Sequence, residues 1–109
     1  MATLSIAQLH EQSTPADVRA YVAAELADFF AREINPHATA RDEACEAIPR
    51  SAFEQAARSG LLSYLMRREV GGVGGSRRTF GLLLEQIGYF CDDVAFPSML
   101  AMFADVPNV

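Results

Sequence analysis

The residues with the most chemical promise are Gly71, Gly72, Gly74 and Gly75, four glycines in five positions, bracketed by Arg67, Arg68, Arg77 and Arg78. Glycine loops bind phosphate when their backbone N–H groups converge on it and a nearby cation adds charge. A nucleotide P-loop needs G-x-x-x-x-G-K-[ST], with the lysine reaching the phosphates. All nine basic residues here are arginine, so that lysine is missing. The dinucleotide fingerprint G-x-G-x-x-G opens a helix directly after a strand. Here Ser76 and Arg77 follow Gly75, the third glycine is absent, and the preceding segment is not part of a βαβ unit. The glycines therefore read as a tight turn, where they supply positive φ and close backbone approach.

The four arginines are a local positive feature in a chain of net charge -5. Such a cluster suits an acidic or phosphorylated partner. A solvated surface with ordinary ion pairs is the plainer reading. His10 and His37 have no nucleophile or ligand pattern around them. Asp42-Glu43, Glu46 and Asp92-Asp93 are explained by solvated helix faces and N-caps. Cys91 falls on an apolar stripe and reads as a small hydrophobe. Phe96, Met99, Leu100 and Phe103 follow the i, i+3, i+4, i+7 spacing of one helical face, a pattern that by itself means core packing.

The elements that would position these residues are all helical. Thr14 is the N-cap, Pro15 the first turn and Asp17 the capping-box partner of a helix over 15–34. Its stripe is Val18, Tyr21, Val22, Leu26, Phe29, Phe30 and Ile34. Asn35-Pro36 interrupts it, because a residue before proline avoids the helical region. A polar, solvated helix resumes over 37–47. Pro49 opens a third helix over 50–59, which Gly60 ends in a left-handed conformation. "LLSYLM" reads as an extended, buried connector into the glycine turn. Ser76 caps a helix over 77–90 with Phe80, Leu84, Ile87 and Cys91 on one stripe, widened by Leu83 and Phe90. Asp92 or Asp93 caps a last helix over 94–105, with Pro97 in its first turn. The fold class is all-α, with about five helices. Residues 1–14 form an N-terminal arm and 15–109 one helical domain.

A length of 109 residues fits one domain, and half of them are hydrophobic, which argues against disorder. The negative net charge argues against nucleic acid as the main partner. Two cysteines, Cys45 and Cys91, give no disulfide framework and no metal-site spacing. The N-terminus lacks the basic and apolar regions of a secretory signal, and no run is long enough to span a membrane. A cytoplasmic location is expected. No charged residue occurs between Val94 and Ala104, so the last helix needs cover on several sides. The expected cover is more of the same polypeptide or a tightly bound partner.

Read in order, "FFAREINPHATARDEACEAIPRSAFEQAARSGLLSYLMRREVGGVGG" and the later "LLLEQIGYF" resemble the N-terminal helical domain of the acyl-CoA dehydrogenase family. Asn35-Pro36, Asp42, Pro49, Gly60-Leu61-Leu62, Gly71-Gly72, Gly74 and Glu85 stand where that family's pattern has them, and the resemblance runs from about residue 15 to the C-terminus. There are departures. Arg67 and Arg68 replace a proline and acids before the Gly-Gly, Val70 replaces an aromatic, and Gln86 replaces a second acid after Glu85. They fit a diverged member from secondary metabolism that acts on an acyl group held by an acidic carrier protein, which the Arg67/Arg68/Arg77/Arg78 cluster would attract.

The resemblance implies an FAD-dependent enzyme that removes two hydrogens across the α–β bond of an acyl thioester of coenzyme A or a carrier protein. In the family the glutamate base and most flavin contacts lie in later domains. This chain is therefore expected to hold no catalytic residue and no complete flavin site, and to associate with the rest of the enzyme or in a homo-oligomer. Carried over by position, Ala95, Phe96, Met99, Leu100 and Phe103 would line the acyl pocket. Their bulk implies a short or unusually shaped acyl group. Two other readings stay open: a flavin monooxygenase or oxidase of the same fold, and a stand-alone helical module that binds a partner without catalysis.

Overall fold

The computed structural model describes residues 5–105. The first helix, α1, spans Pro15–Glu25. Its start is the expected capping box: Thr14 Oγ1 accepts from the Asp17 amide at 3.1 Å, and Asp17 Oδ2 accepts from the Thr14 amide at 2.8 Å. After Leu26 the path stays helical but changes type. A short α2, Ala27–Phe29, leads into a π turn, Phe30–Ile34, then a 3-10 turn, Asn35–His37, and α3, Ala38–Ala44. Asn35-Pro36 thus changes the winding and does not drive the chain out of the helical region. Asn35 keeps φ -63 and ψ -40, against the expectation for a residue before proline. Its side chain explains this, as described below.

The fourth helix, α4, spans Arg50–Ser59. Gly60 ends it at φ 87 and ψ 4, the left-handed stop expected from the sequence. Residues 61–66 are not extended. The Tyr64 amide donates to the Leu61 carbonyl and the Met66 amide to that of Ser63, so the segment is a run of turns. Buried backbone polar groups must find partners, and a short apolar segment without a neighbouring strand finds them locally. The last two helices are α5, Arg77–Phe90, and α6, Ala95–Leu100, the latter followed by a π turn, Ala101–Asp105. Ser76 caps α5, its Oγ accepting from the Thr79 amide at 3.2 Å. With α1 and α2 counted as one run, the described residues form five helices and no strand. None of these helices is long and apolar enough to cross a membrane.

One core joins them. All seven stripe residues of the first run, from Val18 to Ile34, are buried. α1 packs along α5, which contributes Phe80, Leu83 and Ile87. α6 closes one end through Phe96, whose ring meets Phe30 edge-on at 5.1 Å, a favoured aromatic geometry. The arm belongs to this core. Ile6 and Leu9 are buried, Tyr64 Oη donates to the Leu9 carbonyl at 3.3 Å, and Thr79 Oγ1 donates to that of His10 at 2.6 Å.

Candidate functional site

The glycine turn is closed by its own hydrogen bonds. The amides of Val70, Gly71 and Gly72 donate to the carbonyls of Arg67, Arg68 and Arg67; those of Val73, Gly74 and Gly75 donate to Ser63, Met66 and Tyr64 at 3.0, 2.8 and 2.7 Å. Six consecutive N–H groups are thereby committed, and none is left to cradle a phosphate. Close approach explains the composition: a Cβ on Gly75 would overlap the Tyr64 ring, and one on Gly72 the Met66 backbone.

All four bracketing arginines are exposed, and two have structural roles. Arg78 Nη1 donates to the carbonyls of Glu11 and Ser13 at 2.6 and 2.9 Å and ties the arm to α5. Arg68 Nε donates to the Val73 carbonyl at 3.2 Å, across the turn. The turn therefore presents cations on a rigid base.

The five residues expected to line an acyl pocket divide into two groups. Phe96, Met99 and Leu100 are buried in this chain's own core, while Ala95 and Phe103 are exposed. Beside Phe103, which is 59% exposed, lie Met102 at 64% and the half-buried Phe53, whose ring meets that of Phe103 at 6.1 Å. The outer side of this element is thus an apolar surface backed by a packed inner side. His37 is exposed, as its position at a helix start suggests. Burial pushes the Cys91 thiol up from its ordinary pKa, which keeps it inert.

The sequence reading missed a polar corner between α5 and α6. Asn35 Nδ2 donates to the Phe90 carbonyl at 3.0 Å, and Asn35 Oδ1 accepts from the Asp92 amide at 2.8 Å. This clip satisfies backbone groups freed where α5 ends, and it holds Asn35 in its helical conformation. Arg41, read as part of a solvated face, is buried. Its Nε donates to Asp93 Oδ2 at 3.1 Å and its Nη2 to the Ile34 carbonyl at 2.8 Å. The two side chains keep 10% and 14% of their exposure. Removing one partner of such a pair costs about 3–5 kcal/mol, because the other charge is left buried alone. Val94 is the N-cap of α6, and Asp93, expected as a possible cap, stands one residue before it with its Oδ1 accepting from the Ala95 amide at 3.0 Å. No local signal joins the two sides of this corner: the bonds between them span 52 to 57 positions of sequence.

Two cavities among the described residues do not suit a dinucleotide cofactor. The cavity beside the glycine turn is about 230 Å³ and meets amides already bonded. A cavity of about 560 Å³ next to the polar corner carries Asp42, Asp92 and Asp93, whose charges would repel a pyrophosphate. No cluster of metal-ligating side chains occurs among the described residues.

A family model described as the acyl-CoA dehydrogenase N-terminal domain matches residues 17–105. No curated protein and no solved structure matches the chain.

Proposed function

This chain belongs to the acyl-CoA dehydrogenase family through its N-terminal domain, and from that premise we propose that it is the N-terminal part of an FAD-dependent dehydrogenase of acyl thioesters. In this reading the chain supplies one wall of the acyl pocket and no catalytic base. FAD, bound by other parts of the enzyme, would supply the hydride-accepting chemistry. What this chain contributes is a dry surface of fixed shape, which selects the acyl group by fit.

The observation that carries the proposal is the two-sided build of the last helix. Phe96 and Leu100 anchor it in the core, while Met102 and Phe103 stand outward beside Phe53. A contiguous exposed apolar surface on a rigid support marks a place where an apolar group or another part of the protein docks. Ala95 and Phe103 would touch the acyl tail, and Phe96, Met99 and Leu100 would fix the depth of the wall behind it. In the complete flavoenzyme, Phe103→Ala is expected to raise kcat/KM for longer acyl thioesters relative to shorter ones, by about tenfold per methylene accommodated. An unchanged chain-length profile would remove the wall from the account.

The arginines favour a carrier protein as the holder of the thioester. Four exposed cations within twelve positions of an acidic chain would attract an acidic surface and raise its association rate.

A further inference from the structure

The polar corner fixes the direction of α6, and this inference rests on the wall reading given above. Along the bend, the Ala38 amide donates to the Asn35 carbonyl, which leaves the Ile34 carbonyl for Arg41. Arg41 joins that carbonyl to Asp93, and Asp93 joins Arg41 to the first amide of α6 at Ala95. A second line runs beside it, from the Phe90 carbonyl through Asn35 to the Asp92 amide. The chain between α5 and α6 is therefore fastened by Asn35 of the distant bend and by Arg41 of α3. α6 has six residues and no charged residue of its own, and a helix this short owes its placement to tertiary contacts.

We propose that Arg41 and Asp93 are positioning residues that aim α6, and that through its placement they set the acyl selectivity of the pocket it walls. Neither touches the acyl group in this account. Charge-assisted bonds are short and directional, so the pair holds an angle as well as a contact. A pocket wall displaced by an ångström changes fit strongly.

Arg41→Lys keeps the charge but loses the fork that reaches both Asp93 and Ile34. Asp93→Asn keeps an acceptor for the Ala95 amide but loses the ion pair, and serves where the arginine variant fails to fold. Arg50→Gln breaks an exposed pair elsewhere and is the control. Two readouts apply to the flavin-loaded enzyme that carries this chain: amide hydrogen exchange, and the ratio of kcat/KM for two acyl thioesters of different length. The proposal expects exchange over residues 95–104 to rise by about tenfold in both variants, with α1 unchanged. It also expects the selectivity ratio to shift several-fold, with flavin content retained and Arg50→Gln like the wild type. Unchanged exchange over 95–104 overturns it, and so does an unmoved ratio. Phe103→Ala in the same assay separates two failures. If that variant moves the ratio and Arg41→Lys does not, the positioning role alone falls; if neither does, the wall falls and the positioning role with it.

Discussion

Tyr21 lies buried on α1, and burial, aided by the Glu25 carboxylate one turn on, pushes its phenol up to about 12 from 10.0. A pKa raised in the fold means that the neutral form is favoured there. Its contribution to stability is whole below pH 10 and is lost as the pH rises towards about 12. The melting temperature should therefore fall over that range in step with tyrosinate absorbance, and Tyr21→Phe should flatten the fall. Tyr21 was legible as a core residue because its helical stripe repeats locally. Arg41 was not, since in sequence it is one polar residue in a polar run, and its buried role exists only once Asp93 arrives from 52 positions away. Gly75 shows the intermediate case: the sequence shows a turn glycine, and only packing shows that the Tyr64 ring forbids a Cβ there.

Among elements, those governed by local chemistry were readable. Thr14, Ser76 and Gly60 start or stop helices through bonds within a few residues. The π turns and the turns over 61–66 were not readable, because tertiary packing selects their winding and no residue type announces it. α3 ends at Cys45, which has φ 55 and is the only non-glycine residue with positive φ among those described. A side chain in that conformation costs roughly 1–2 kcal/mol, and glycine loses part of that gain through its freer unfolded chain. Cys45 is exposed, so little packing is at stake. Cys45→Gly should stabilise the protein by about 0.5–1 kcal/mol, seen as a higher urea midpoint at unchanged slope.

At the scale of the whole molecule, the arm, the glycine turn and α5 form one rigid side that carries the arginines, and α6 presents the apolar side. Arg68 and Arg78 hold backbone carbonyls, so the test of the charged side falls on the exposed Arg67. Arg67→Glu should weaken binding of an acyl carrier protein and flatten its dependence on salt. Binding that does not change would leave coenzyme A as the holder of the thioester. The family and its helical class were readable because turn and cap residues stand in the family's order along this sequence, from Asn35-Pro36 to Glu85. The partner surfaces were less so, since periodicity alone does not say which side of a helix its own chain will cover.

The most direct measurement is anaerobic titration of the purified enzyme that carries this chain with acyl thioesters of coenzyme A and of carrier protein, following the flavin absorbance. The account predicts bleaching of bound flavin with formation of the α,β-unsaturated thioester. A protein that binds no flavin, or a flavin that stays oxidised with every thioester offered, would contradict it.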